Sequence, residues 1–362
     1  MKNILDYFSH ALIVLLLFSC GNADDDVSFD INQEKLGQGK EPDTCLGFEE
    51  NELLLSIQDQ FTTLPSKVSI LFKVSDVSGN PISGLNAEQF TIYEQGRNDA
   101  CFNTISASES LARISSNSQV FSNNTILVLD LSNSVLQSSL EELKTASTSF
   151  ITNVMPSPGI DSFKMAIYWF DGEDELHLLN DLTSSTTELT AAINGITSDI
   201  SNDPSTDLYG AVIKSTNVAE DLIKKNNEEK IIGAASVVIF TDGTDQASRY
   251  TKDAALQAVS QANLNISLFT IGLGSEIDTD ILKDIGKTAS VFASNKEELE
   301  TTFTQISQEV SEQANSFYLF EYCTPKRDGS GENNLVIQLT NNSLKGAVQT
   351  SFSANGFIGG CE

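Results

Sequence analysis

The sequence predicts an α/β fold: a doubly wound, mostly parallel sheet flanked by helices, inserted in or flanked by a small antiparallel β-sandwich. Three observations carry that reading. Residues 126–129, 237–240 and 266–271 are short, nearly continuous apolar runs, the pattern of parallel strands covered on both faces. Between and after them, apolar residues recur at helical spacing: Leu136, Leu140, Leu143, Phe150, Ile151 and Val154, then Leu299, Phe303, Ile306 and Val310. Toward both ends of the chain, apolar and polar residues instead alternate with period two between turn-forming residues.

In chain order, residues 67–76 and 90–94 read as antiparallel strands separated by Gly79-Asn80-Pro81. The run at 126–129 opens the central part, and the first helical stripe follows it. Residues 165–170 supply another strand, with 175–179 an edge strand paired back onto it. The runs at 237–240 and 266–271 and the last helical stripe complete a strand-helix rhythm, which gives a doubly wound sheet. Residues 317–322 and 335–339 return to period two, with the turn-rich Asp328-Gly329-Ser330-Gly331 between them. One sandwich built from both flanks, with the central domain inserted, is the economical arrangement; two separate β units are the competing one. The boundaries drawn are 45–121 for the first β part, 122–314 for the central domain and 315–362 for the closing strands.

The N-terminus reads as an address. Lys2 precedes an apolar stretch over 11–18, too short to span a bilayer and of the form of an export signal covering 1–19. It ends in Leu17-Phe18-Ser19-Cys20-Gly21, which resembles a bacterial lipobox; an ordinary signal with a chance cysteine is the alternative. The resemblance implies lipidation at Cys20, and acyl chains contribute about 0.8 kcal/mol per buried methylene to membrane attachment. The following Gly21-Asn22-Ala23-Asp24-Asp25-Asp26 resembles the acidic export signal of surface lipoproteins in Bacteroidetes, implying an outer-membrane protein exposed at the cell surface. Residues 20–44 lack periodicity and read as a flexible acidic tether. Cys45, Cys101, Cys323 and Cys361 are an even set, consistent in an oxidising compartment with two disulfides of any of three pairings; free buried thiols are the alternative.

Composition excludes several chemistries. The 362 residues carry 50 acidic against 21 basic side chains, a net charge of −29, while 40% hydrophobic residues are too many for a disordered acidic tail. Nucleic acid is not an expected partner, because binding it requires a basic face to neutralise phosphates. The histidines are His10, within the export signal, and His177, so multi-histidine zinc sites are excluded. Neither a GxSxG nor a GxxxxGK[ST] sequence occurs. A metal in this chain would need oxygen ligands.

Three separated segments meet that requirement. The first central strand runs into Asp130-Leu131-Ser132-Asn133-Ser134, the fourth runs into Thr241-Asp242-Gly243, and the loop at 202–207 opens a helix. In a doubly wound sheet, ligands bind at the carboxyl ends of the strands, where these segments emerge. Read singly, each is equally a helix cap or a turn. Together and in this order they resemble the von Willebrand factor A (VWA) domain with a complete metal-ion-dependent adhesion site. That family's pattern is DxSxS after the first strand, a threonine before a central helix, and an aspartate in a [ST]DG turn. The matching residues are Asp130, Ser132, Ser134, Thr206 and Asp242.

The residue types suit the chemistry. Magnesium is hard and octahedral, prefers oxygen, and suits one or two carboxylates with neutral hydroxyls and waters. Mg2+ is the expected ion, with Mn2+ or Ca2+ as alternatives. The resemblance implies a coordination position left for a carboxylate from a protein or peptide ligand. The acidic turn Asp171, Glu173, Asp174 and Glu175 reads as a solvated hairpin tip, with calcium binding the alternative although the spacing fits no twelve-residue calcium loop; Asp203, Asp207 and Asp245 read as residues around the metal ligands, and His177 as an edge-strand residue without a catalytic role. The function expected is therefore adhesion or protein binding by a lipid-anchored protein with no catalytic residues, touching the membrane only through its anchor. A structural partner in the envelope is the alternative. A magnesium-dependent hydrolase would need a nucleophilic aspartate as in DxDx[TV], where this chain has Ser132.

Overall fold

The computed structural model describes residues 39–108, 110–115, 121–156, 161–229, 231–327 and 331–360. The export signal, Cys20, the acidic run at 24–26 and Cys361 lie outside the described residues.

The N-terminal flank forms β1 (Leu53–Thr63), β2 (Lys67–Asp76), β3 (Phe90–Gln95), β4 (Asn103–Ile105) and β5 (Arg113–Ser115). The central part follows as β6 (Phe121–Asp130), α1 (Asn133–Ser138), α2 (Leu140–Val154), β7 (Phe163–Phe170), β8 (His177–Thr183), α3 (Thr186–Asn194) and α4 (Leu208–Glu228). It continues through β9 (Ile232–Thr241), α5 (Lys252–Gln261), β10 (Ile266–Leu273), α6 (Thr279–Ile285), β11 (Ala289–Ala293) and α7 (Leu299–Ala314). The C-terminal flank is β12 (Phe317–Cys323), β13 (Glu332–Asn341) and β14 (Leu344–Ser353).

The central sheet has the order β11-β10-β9-β6-β7-β8, and only β8 runs antiparallel to its neighbour. Strand alternation sorts the core into two layers. Leu127 and Leu129 of β6 face Leu143 and Phe150 of α2, Leu189 of α3 and Phe303 of α7. Ile126 and Val128 face Val212 and Ile223 of α4, Val259 of α5 and Leu282 of α6. Helices therefore cover both faces, which is why these strands are continuously apolar. The stripe from Leu136 to Val154 is two helices, because the backbone breaks at Ser139 (φ −142°, ψ 14°). The apolar spacing crosses that break unaltered, since Leu136 and Leu143 enter the same core.

The flanks form two antiparallel sheets, ordered β1-β2-β12-β5 and β14-β13-β3-β4, so each sheet combines strands from both ends of the chain. Tyr318 pairs with Phe72 in one sheet and Ile337 with Ile92 in the other. Phe90 lies 5.5 Å from Phe72 and 5.3 Å from Phe320 between ring centroids, joining the two inner faces into one core. Four of these strands, β1, β4, β5 and β14, lack a clear signature in the sequence. The sandwich meets the central part where α7 passes into β12, and there the Val74 N–H donates to the Ser316 carbonyl at 3.0 Å. A disulfide joins Cys45 to Cys101, and Cys323 is also disulfide-bonded. Among the described residues no helix is long and apolar enough to cross a membrane.

Candidate functional site

The central sheet brings three strand ends side by side. β6 lies between β9 and β7, with Leu129 opposite Phe240 and Asp130 opposite Phe170. Asp130 is thus the last residue of β6, Asp242 follows β9, and Asp171 follows β7. Because β7 continues the sheet to one side and β9 to the other, the chain reverses direction of winding here and opens a crevice.

Backbone bonds tie the loops above it. The Leu131 N–H donates to the Phe170 carbonyl, Asn133 to Asp203 and Asp207 to Asp171, at 2.9, 2.9 and 2.8 Å. The Thr206 carbonyl accepts from the N–H groups of Gln246 and Ala247 at 2.9 and 3.1 Å, fixing its loop to the one that carries Asp242. A Cβ at Gly243 would lie 3.9 Å from the Thr206 Oγ1, so the threonine hydroxyl sits beside the Asp242-Gly243 turn.

Within this frame the polar groups form a chain. Asp130 Oδ1 accepts the Ser132 N–H at 2.9 Å, and Oδ2 accepts the Thr241 hydroxyl at 2.7 Å. The hydroxyls of Ser132 and Ser134 are 3.2 Å apart, and Ser134 donates to Asp242 Oδ1 at 3.0 Å. The helix-cap reading of these residues is not what the geometry displays. Ser132 occupies the N-cap of α1 without a side-chain capping bond, and α4 is capped by Asp207, whose Oδ1 accepts the Gly210 N–H, instead of by Thr206.

The electrostatics are unfavourable for the protein alone. Asp130 is 0% exposed. Burial, and then the charge of Asp242, push its carboxyl up to about 7, against the hydrogen bonds from Ser132 and Thr241. Burial also raises Asp242, the Ser134 bond opposes this, and Glu276 raises it further. Among the described residues neither aspartate has an ion-pair partner. The bases nearby are engaged elsewhere: Lys214 binds Asp174 and Asp207 at 2.6 and 3.2 Å, and Arg249 donates to the Gly172 carbonyl at 2.8 Å. The donor set fits a hard divalent cation, because it offers only oxygen, from two carboxylates and three hydroxyls.

The surrounding acids have distinct jobs. Asp203 Oδ1 accepts the Ser205 hydroxyl and N–H, and Asp245 accepts the N–H groups of Tyr209 and Ser248. Asp171 corrects the expectation of a solvated hairpin tip. It is 3% exposed and accepts the Glu173 N–H at 2.8 Å and the Ser201 hydroxyl at 2.5 Å, which pins the loop before α4; Glu173, Asp174 and Glu175 are exposed. His177 lies on the edge strand β8 and stacks on Trp169 at 4.0 Å. Thr241 escaped sequence reasoning as a site residue. Its signal was its place at the strand end opposite Asp130, which needs the register of β6 and β9.

This arrangement belongs to a known class: the chain is a member of the von Willebrand factor type A domain family, whose model matches residues 124–309. Among solved structures, BatB from Bacteroides thetaiotaomicron is 19% identical with a TM-score of 0.41, over 53% of this chain and 98% of that one. A von Willebrand factor type A protein from Catenulispora acidiphila is 9% identical with a TM-score of 0.45, over 86% and 76%. Proximal thread matrix protein 1 from the mussel byssus, with a zinc-occupied MIDAS motif, is 15% identical with a TM-score of 0.40, over 59% and 50%. No curated protein matches the chain.

Proposed function

We propose that this chain is a lipid-anchored envelope protein that binds a protein or peptide ligand through a Mg2+-type cation held by Asp130, Ser132, Ser134, Thr206 and Asp242. One observation carries the reading: the buried Asp130 and the half-buried Asp242, linked through Ser132 and Ser134, have no basic partner among the described residues. A divalent cation supplies positive charge at this point and Lewis acidity toward an incoming carboxylate. The two aspartates balance its charge, and the hydroxyls bind it without cancelling what remains. Thr241 holds the Asp130 carboxylate in place from below. Asp130 is sealed beneath the site while Ser134 is exposed and Asp242 half-buried, so a ligand approaches from the Ser134 side.

On the same reading, Cys20 carries the lipid, residues 20–44 are the tether, and residues 122–314 present the site at the cell surface. Along the chain, residues 45–121 of the sandwich stand between tether and site, and residues 315–362 complete it after the site domain. The test is capture of ligands from native membranes by the wild type and by Asp242→Ala, each with and without chelator. The proposal expects capture that both chelator and the substitution abolish. Equal capture in all four arms would leave only metal-independent contacts and refute it.

A further inference from the structure

A second group of reactive side chains lies in the sandwich, at the end of β12 remote from α7. Glu94 is 0% exposed although it shares the inner face of β3 with Phe90 and Ile92. Its carboxylate accepts the Tyr322 hydroxyl at 2.8 Å and the Thr324 hydroxyl at 2.9 Å. On β13, Asn334 pairs with Gln95, which sets Asn333 beside Gly96. Asn333 is 1% exposed; its Nδ2 donates to the Gly331 carbonyl at 2.9 Å, but its Oδ1 has no hydrogen-bond partner among the described residues. A buried, half-satisfied carboxamide is costly and calls for an explanation.

Lys326 supplies the third group. Its N–H is held by the Thr324 hydroxyl at 3.1 Å, and its side chain is only 20% exposed. The amine and the carboxamide converge over Gly96: a Cβ placed there would lie 2.9 Å from the Lys326 Nζ and 3.6 Å from the Asn333 Oδ1. The absence of a side chain at Gly96 is what leaves room for both. Asp99 Oδ2 lies 3.8 Å from the same amine.

We propose that Lys326 and Asn333 join in an intramolecular isopeptide bond, with Glu94 as the buried acid that moves the proton. The ammonium of Lys326 passes a proton to Glu94, whose neutral form is favoured by burial against its hydrogen bonds and the charge of Lys326. The neutral Nζ attacks Cγ of Asn333, the Nζ–Cγ bond forms, and the Cγ–Nδ2 bond breaks. The nitrogen leaves as ammonium, taking the two protons that Lys326 gives up, one of them relayed by Glu94, so no oxidant, reductant or co-reactant is needed. Holding the two groups together replaces a bimolecular encounter, an advantage that reaches on the order of 10⁵ M or more in effective concentration. Asn333 is the acyl donor because it is neutral and dry. Asp99 is 35% exposed, where water solvates a carboxylate and opposes amide formation. The product removes a buried charge and ties the segment after β12 in one sheet to the start of β13 in the other.

Mass spectrometry of the intact, reduced wild-type chain, with peptide mapping, tests this. The expected chain is lighter than its sequence by one ammonia, and a branched peptide links Lys326 to Asn333. Lys326→Arg and Asn333→Ala each restore the full mass, and Glu94→Gln, which keeps both partners, slows linkage by roughly 10²-fold or more. Linear wild-type peptides carrying unmodified Lys326 and Asn333 overturn the proposal, as does loss of water with Lys326 joined to Asp99. The decisive reading is on the wild type, so a variant that fails to fold does not leave the question open.

Discussion

Two buried carboxylates, Asp130 at the edge of the central sheet and Glu321 in the sandwich, are 0% and 4% exposed and are neutralised by different means. Glu321 Oε2 accepts from Nε and a terminal nitrogen of Arg113 at 3.0 and 2.9 Å, and Oε1 lies 3.0 Å from the Lys67 Nζ. Burial opposes its charge, but the bonds from Lys67 and Arg113 outweigh it and hold the carboxyl below the usual range. Asp130 receives only neutral donors and is pushed up instead. The sandwich acid is complete within the fold. The acid of the VWA domain has no counter-charge among the described residues, the state in which a buried carboxylate is expected to take a partner from outside.

The comparison breaks most visibly if the two acids are made neutral. In the metal-free protein, Asp130 has a folded value of about 7 against 3.8 for the ordinary group. The native state therefore holds the proton more tightly, and its stability falls as pH rises from about 4 to 7, with the full penalty present above that. Asp130→Asn is expected to stabilise metal-free protein at pH 8 by on the order of a few kcal/mol and to flatten this slope. Glu321→Gln is expected to do the opposite. Its favourable contribution is present above the ordinary carboxyl value and is lost as pH falls through the lowered folded one. Lys67 and Arg113 are 33% and 63% exposed, so solvent screening limits the loss; it is expected to be about 1 kcal/mol. Denaturant unfolding at pH 5 and pH 8 checks both, and shifts of the same sign would remove the distinction.

A cation should erase the difference. At a hundredfold excess over its Kd, a divalent ion is expected to stabilise the wild type by about 2.7 kcal/mol, and Asp242→Ala much less. Thermal melts with and without ion measure this. A smaller effect belongs to Thr241→Val, which removes the hydroxyl from Asp130 and leaves every proposed ligand in place. Cation affinity is expected to fall about tenfold, as for other groups that orient a metal ligand. Competition with a metal-sensitive dye would read that change, and unchanged affinity would make Thr241 a bystander.

Legibility in the sequence followed how each element is buried. β6, β9 and β10 announced themselves because helices cover both their faces. β1 did not, because a bulge between Ile57 and Asp59 shifts its register and breaks the alternation on which recognition depends. β14 is an edge strand of small and polar residues, with little apolar pattern to find. The break at Ser139 was silent since the core contacts continue across it. At the site, Asp130, Ser132, Ser134 and Asp242 could be grouped because each leaves a strand end. Asp171 looked like part of an exposed turn until Ser201, thirty residues away, supplied its partner. Glu94, Lys326 and Asn333 come from separate strands and a loop, and only the folded sheet register brings them together.

The central claim is tested most directly by titration calorimetry of Mg2+ and Mn2+ into wild type, Asp130→Ala and Asp242→Ala, with folding of each variant checked by circular dichroism. The account predicts saturable binding to the wild type and its loss in both folded variants. Equal affinity in all three would contradict it, and would mean that the acidic pair of the VWA domain, with Asp130 buried, is tolerated without a cation.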